Sequence, residues 1–267
     1  MPSASFDRLH PALQYHIANT LGWSDLRTVQ EMAIDPILQG ADVLLLAPTA
    51  GGKTEAAFFP LLSRALSDGW GGLSILYISP LRALLNNQEP RLQKYFGMVG
   101  HHAEMWHGDV PRSKKRKTVR DVPSCLLTTP ESIEAIRTSS TLDHRAFFQD
   151  LRALVIDEVH SFADDDRGWH LLALLSRLTV LAGRPLQRIG LSATVGAPEA
   201  LLDWLGGGAS SRCEIVRPPA GAPGEADVQL DCVGGIENAA AVISQLHLGE
   251  KRLAFCDSRA QVEDLGA

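Results

Sequence analysis

Residues 47–54 read Ala-Pro-Thr-Ala-Gly-Gly-Lys-Thr and follow directly on the apolar run Val43-Leu44-Leu45-Leu46. A buried-type strand, a Gly-rich turn and Lys-Thr at the start of a helix make a phosphate-binding loop. The N–H groups of the turn and the positive end of the helix face an anion. Thr49, Ala50, Gly51 and Gly52 would surround the phosphates, with Lys53 reaching the β- and γ-phosphates and the Thr54 hydroxyl holding Mg²⁺. The ligand class is a nucleoside triphosphate. One position departs from the pattern G-x-x-x-x-G-K-[ST], which asks for Gly where the chain has Ala47.

About a hundred residues on, Leu154-Val155-Ile156 runs into Asp157-Glu158-Val159-His160. In a parallel sheet, ligands bind at the carboxyl ends of strands. Asp157 at such an end can share the Mg²⁺ held by Thr54, and Glu158 can take a proton from attacking water. Two carboxylates after an apolar run can also be an ordinary solvated strand end; the loop at 47–54 argues against that reading here.

Further stretches recur in a recognisable order. Trp23 stands seven residues before Gln30, Ser79-Pro80-Leu81-Arg82-Ala83-Leu84 follows the loop, then Trp106-His107-Gly108-Asp109, Thr128-Thr129-Pro130-Glu131-Ser132 and Ser192-Ala193-Thr194. With the two sites above, this series resembles the motifs of the superfamily-2 helicases. Trp23 and Gln30 resemble the Q motif, with Leu26 in place of its usual proline, and 47–54 resembles motif I, which often opens on Ala; Ala50 stands where that family has Gly. The 79–84 and 128–132 stretches resemble motifs Ia and Ib, 157–160 is a DEVH form of motif II, and 192–194 resembles motif III. Asp166-Arg167-Gly168, Pro198-Glu199 and Asp203-Trp204-Leu205-Gly206 look like the Lhr-type and Ski-type members.

The resemblance implies a RecA-like motor that binds ATP and Mg²⁺ and moves 3′→5′ on single-stranded nucleic acid, DNA favoured over RNA. By it, Trp23 and Gln30 read adenine, Lys53, Asp157 and Glu158 are catalytic, and Thr54 and Asp157 hold the metal. Pro80, Arg82, Gly108, Thr129 and Pro130 would form the strand surface, while His160, Ser192 and Thr194 couple the two sites. A P-loop ATPase of another type has no use for motifs Ia, Ib and III. A binding scaffold without activity has no use for an intact Lys53, Thr54, Asp157 and Glu158.

Composition suits a cytoplasmic α/β protein: 45% hydrophobic, 21% charged, with no apolar run long enough for a bilayer and no signal-type N-terminus. Cys125, Cys213, Cys232 and Cys256 are scattered without C-x-x-C spacing, so neither zinc nor a disulfide framework is expected, and Cys125 and Cys256 read as core residues. The net charge of −6 does not exclude a nucleic-acid partner, because backbone amides and helix N-termini can hold phosphates. One dense basic run, Arg112-Ser113-Lys114-Lys115-Arg116-Lys117, is either a phosphate contact on a strand-facing loop or a solvated helix start.

The elements that must position these groups alternate. Apolar runs at 43–47, 73–79, 102–106, 125–128, 151–156 and 188–191 read as strands; 53–67, 81–95, 130–137, 168–181 and 198–205 read as helices. Continuous apolar strands between helices mean a parallel sheet covered on both faces, a three-layer RecA-like P-loop domain. We expect an N-terminal helical segment with the Q motif at 1–40 (helix at about 10–20), the first RecA-like domain at 41–210, a Pro/Gly linker at 211–227 and the start of a second RecA-like domain at 228–267. That last part has a helix at 236–248 and a strand at 252–256. Motifs V and VI are absent, so this segment alone is expected to bind ATP weakly and hardly hydrolyse it; the rest of that domain and accessory domains are expected partners.

Overall fold

The computed structural model describes residues 4–140, 142–163, 166–193, 195–206, 212–219, 229–246, 248–249 and 253–266. The chain divides into two compact units, Met1–Pro219 and Ala220–Ala267.

Seven parallel strands form the sheet of the first unit: β1 (Asp42–Leu46), β2 (Ile75–Ile78), β3 (Ala103–Trp106), β4 (Cys125–Thr128), β5 (Ala153–Ile156), β6 (Gln187–Ser192) and β7 (Cys213–Val216). Their order across the sheet is β3-β4-β2-β5-β6-β1-β7. Successive side chains on a strand point to opposite faces, and here both faces are dry. Val43 and Leu45 enter one hydrophobic core and Leu44 and Leu46 the other; Ile75 and Tyr77 divide from Leu76 and Ile78 in the same way. This is why the strands read as unbroken apolar runs rather than as alternating ones.

Helices α1 (Pro11–Tyr15), α2 (Thr28–Leu38), α3 (Lys53–Ser67) and α4 (Arg82–Met98) supply side chains to the first core. After α4 and β3, α5 (Arg112–Arg120) lies on the surface with one buried residue, Thr118. The second core takes side chains from α6 (Pro130–Arg137), α7 (His144–Phe148), α8 (His160–Ala163), α9 (Asp166–Ala182) and α10 (Pro198–Gly206). The expected three-layer α/β domain is therefore observed.

Two local expectations need correcting, and one open choice is decided. Helix α1 runs on into a wider turn at His16–Thr20, but Gln30 belongs to a separate helix, α2, whose start is braced by its own Gln30 side chain. Of the two readings of the basic run at 112–117, the helix start is the one observed. Within the stretch read as linker, β7 pairs in parallel with Asp42–Leu45 of β1 and closes that edge of the sheet. Residues 220–227 of that stretch lie outside the described residues.

In the second unit α11 (Ile236–Leu246) packs against α12 (Arg259–Gly266). The expected strand at 252–256 is not present at its described residues, Leu253–Cys256. A strand needs a hydrogen-bonded neighbour, and none stands beside it among the described residues. Leu253 and Phe255 are consequently exposed, and Cys256 is half-buried rather than core; Cys125 in β4 is fully buried, as expected.

Candidate nucleotide and strand site

The carboxyl edge of the sheet collects the predicted residues. β1 ends at Leu46 and passes into the phosphate-type loop. Gly52 takes φ +92 and opens α3, so Lys53 and Thr54 stand in its first turn. A Cβ on Gly52 would lie 2.6 Å from Gln30 Nε2, a second reason for glycine there. Ala50 adopts φ +61, a left-handed conformation that L-residues other than Gly enter at a cost. Lys53 Nζ donates to the carbonyls of Ala47 (2.6 Å) and Pro48 (3.2 Å). Burial pulls the Lys53 ammonium below its usual pKa, while Glu158 and Asp157 pull it back up.

β6 lies between β1 and β5, with Leu46 paired to Ser192 and Ile156 to Gly190. The loop after β1, Ser192 at the end of β6 and Asp157 just beyond β5 therefore sit side by side. Asp157 is 7% exposed; Oδ1 accepts from the Glu158 amide (3.0 Å) and Oδ2 accepts from the Tyr77 hydroxyl. Burial raises the Asp157 carboxyl above the ordinary range, with the nearby Glu158 charge adding to it against the Tyr77 hydrogen bond. The same burial and the same carboxylate push the Tyr77 phenol well up. Glu158 has φ +45, which turns it off the strand direction, and its side chain is partly solvated.

His160 Nδ1 hydrogen-bonds Ser192 Oγ at 2.9 Å and lies 3.6 Å from Glu158 Oε2. Thr194 lies outside the described residues. Next to the acid pair, β2 leads into Pro80, and β4, one strand further, leads into Thr129-Pro130. Arg167, at the start of α9, donates to the Pro80 carbonyl (3.0 Å) and to Glu131 Oε1 (3.0 Å), so one guanidinium ties the loop after β2 to the first turn of α6. Arg82 makes a two-pronged pair with Asp109 (2.9 Å to each oxygen) and lies against Gly108, where a Cβ would meet Nη2 at 2.9 Å. Thr129 stands at the N-cap position of α6, and its hydroxyl shares a hydrogen bond with that of Ser132 (3.1 Å).

Trp23 packs on Phe59 (5.6 Å between ring centroids) and lines a cleft of about 400 Å³ with Arg27, Gln30, Gly52, Glu55 and Arg91. Gln30 Oε1 accepts from the Arg27 amide (2.9 Å) and Nε2 donates to the Gly52 carbonyl (3.4 Å), so the side chain braces the loop from behind. Glu55 is fully buried against Arg91 and accepts from Tyr95 (2.6 Å), whose phenol pKa is pushed up to about 12 chiefly by burial.

Residues 27–201 match the family model of the DEAD/DEAH box helicases. The chain belongs to that family. It is 36% identical over 216 residues to a protein of Mycolicibacterium smegmatis named Lhr helicase/probable uracil glycosylase, covering 75% of this chain and 14% of that one. To the ATP-dependent helicase Lhr-Core of Methanothermobacter thermautotrophicus it is 34% identical over 227 residues, 78% of this chain and 26% of that one. The chain thus spans about a quarter or less of the length of these relatives. Among solved structures, the Mycobacterium smegmatis helicase Lhr bound to ssDNA and AMP-PNP superposes with a TM-score of 0.84 at 30% identity, covering 98% of this chain and 36% of that one. The DUF1998 helicase MrfA, at 23% identity and TM-score 0.78, shares the fold.

In this DEAD/DEAH box domain the structure brings Lys53, Thr54, Asp157, Glu158, His160 and Ser192 to one edge, with Pro80, Arg82, Gly108, Thr129 and Pro130 at the loops that continue it. Sequence reasoning missed Tyr77, Arg27 and Glu55 as parts of the site. For Tyr77 and Glu55 a signal existed: a phenol inside an apolar strand and a carboxylate on an apolar helix face must each find a buried partner. Among the described residues no helix is long and apolar enough to cross a membrane.

Proposed function

We propose that this chain is the ATP-binding motor domain of a helicase that hydrolyses ATP to move along single-stranded nucleic acid, DNA in preference to RNA, 3′→5′. The observation that carries the reading is the shared edge. The nucleotide-type residues and the strand-type residues end neighbouring strands of one sheet, and His160–Ser192 and Arg167 bridge the loops between them. The ssDNA and AMP-PNP bound by the Mycobacterium smegmatis relative support both ligands. The four scattered cysteines, without paired spacing, support a cytoplasmic setting.

The donor set suits Mg²⁺. A hydroxyl and a carboxylate are hard oxygen ligands, and burial leaves the Asp157 charge disfavoured even with Lys53 nearby, a place where a divalent cation would compensate it. Thr54 and Asp157 would hold the ion, which when bound would offset charge on the phosphates. The loop amides and Lys53, released from the Ala47 and Pro48 carbonyls, would bind the phosphates; Glu158 would orient water and accept its proton. Gln30 and Trp23 would select adenine. His160, held between Glu158 and Ser192, would report the state of one site to the other.

The test uses the full-length protein. ATPase should be stimulated by single-stranded DNA more than by RNA, and a 3′-tailed duplex should unwind in preference to a 5′-tailed one. Lys53→Ala should lose ATP binding and turnover, while Glu158→Gln should bind ATP and strand but turn over very slowly. Equal turnover with and without any strand would sink the motor reading and leave a P-loop ATPase of another kind.

A further inference from the structure

Helix α5 reads Arg-Ser-Lys-Lys-Arg-Lys-Thr-Val-Arg, six cations and no acid, in a chain whose net charge is −6. Cations in the first turn face the positive end of the helix dipole, an unfavourable placement. A local choice that works against its own element marks a place shaped by something other than stability. Lys114 is committed to Glu89 (2.7 Å) and Glu104 (3.4 Å). Arg112 and Arg116, one turn apart on the same side of the helix, are exposed and make no ion pair or hydrogen bond among the described residues. Lys115, between them, lies over the half-buried Trp106 ring (5.8 Å to the centroid) and donates to the Gly108 carbonyl at 3.4 Å.

These three cations line a groove of about 680 Å³ together with Trp106, Val119 and Ile136. Its size is in the range that holds nucleotide-sized ligands, roughly 300–1,000 Å³. Cations on one wall and an aromatic and apolar lining on the other are what a nucleotide asks for: charge for its phosphate and a surface for its base. The groove also joins the strand loops, because Lys115 touches Gly108, and Gly108 touches Arg82.

We propose that this groove is a second contact for single-stranded nucleic acid, continuing the strand path past Gly108. Arg112 and Arg116 hold phosphates there, and the Trp106 side receives a base. The inference rests on the reading that the strand crosses Arg82 and Gly108.

The experiment measures binding of fluorescent oligothymidylates, short and long, to the full-length protein across a salt series. The wild type is compared with the double variant Arg112→Ala/Arg116→Ala and, separately, with Arg82→Ala. Each phosphate contact on a single strand contributes about 0.7 to the slope of log K against log salt, so the double variant should lose about 1.4. Its affinity for the long oligonucleotide should fall several-fold and for the short one hardly change, with basal ATPase and melting temperature kept. An unchanged slope and affinity, with wild-type binding intact, overturns the groove. Poly-glutamate binding to the wild type but not to the double variant, with oligonucleotide affinity and salt slope the same in both, would assign the groove to an acidic polypeptide and likewise overturn it. Loss of binding in the double variant with none in Arg82→Ala would support the groove and reject the path through Gly108. Absence of any wild-type binding rejects both.

Discussion

The Tyr77 hydroxyl donates to Asp157 Oδ2 from the neighbouring strand, inside the core and eighty residues away in sequence. Each group meets the other's need. A buried phenol requires an acceptor, and a buried carboxylate with one oxygen already on the Glu158 amide requires a donor for the second. The bond fixes the carboxylate's orientation at the strand end and occupies a lone pair that would otherwise be free. Tyr77 is thus a positioning residue beneath the acidic pair.

Tyr77→Phe keeps the ring and leaves Asp157 Oδ2 without its donor. We expect a stability loss of about 1–3 kcal/mol, because the remaining partner is a desolvated charge. Partners that orient a metal ligand are worth about 10–100-fold in metal affinity. The Mg²⁺ concentration needed for half-maximal ATPase in the full-length variant should therefore rise by that order. An unchanged Mg²⁺ requirement would make the hydrogen bond structural only.

Asp157→Asn should do the opposite to the fold. The carboxyl pKa is raised by burial, meaning that the folded protein disfavours the charge it carries. Removing the charge should stabilise the nucleotide-free protein by about 0.5–2 kcal/mol, as functional residues often do when neutralised. Tyr77 can then accept from the new amide, so its hydroxyl keeps a partner. ATPase should be lost. Thermal melts of the two proteins without nucleotide decide the matter: a lower melting temperature in the variant would mean that Asp157 is well compensated in place.

His160 and Ser192 should behave as one unit. The 2.9 Å bond spans two motifs and lies 3.6 Å from the Glu158 carboxylate. His160→Ala and Ser192→Ala should each keep basal ATPase and lose much of its stimulation by strand. Their combination should cost little more than either alone, a coupling of about 0.5–3 kcal/mol for groups in contact. Additive losses in the double variant would separate the two residues.

Gly168→Ala tests the packing that carries Arg167. A Cβ at Gly168 would lie 2.0 Å from the Phe162 carbonyl oxygen and 3.1 Å from the Trp204 ring. Backbone cannot yield as a flexible side chain can. We expect a loss of at least ~3 kcal/mol, the upper end for one substitution, or failure to fold. Urea unfolding that matched the wild type would show that α8 and α9 can part there.

Some of this was plain in the chain. Lys53–Ser67 and Pro130–Arg137 are helices at the residues the sequence marks, and Cys125–Thr128 is the strand expected. Strands buried on both faces cannot alternate, so they read as apolar runs, and a loop that needs Gly and Lys at fixed places announces itself. Asp157-Glu158 at a strand end followed from the same logic. Strand β7 was not legible in this way, and helix α5 was legible only as one of two readings. Six cations in nine residues are compatible with loop or helix, and Cys213–Val216 is a short edge strand whose identity depends on finding Asp42–Leu45 beside it. The order of the strands was also beyond local pattern. Only the assembled sheet puts β6 between β1 and β5, so that Ser192 falls between the phosphate-type loop and the acid pair. Only the assembled sheet sets β2 against β5, so that Tyr77 meets Asp157. Residue types and their near neighbours along the chain determine which groups can do chemistry. Which of them meet is decided by strand pairing and the need to satisfy every buried polar atom, both of which act between residues far apart in sequence.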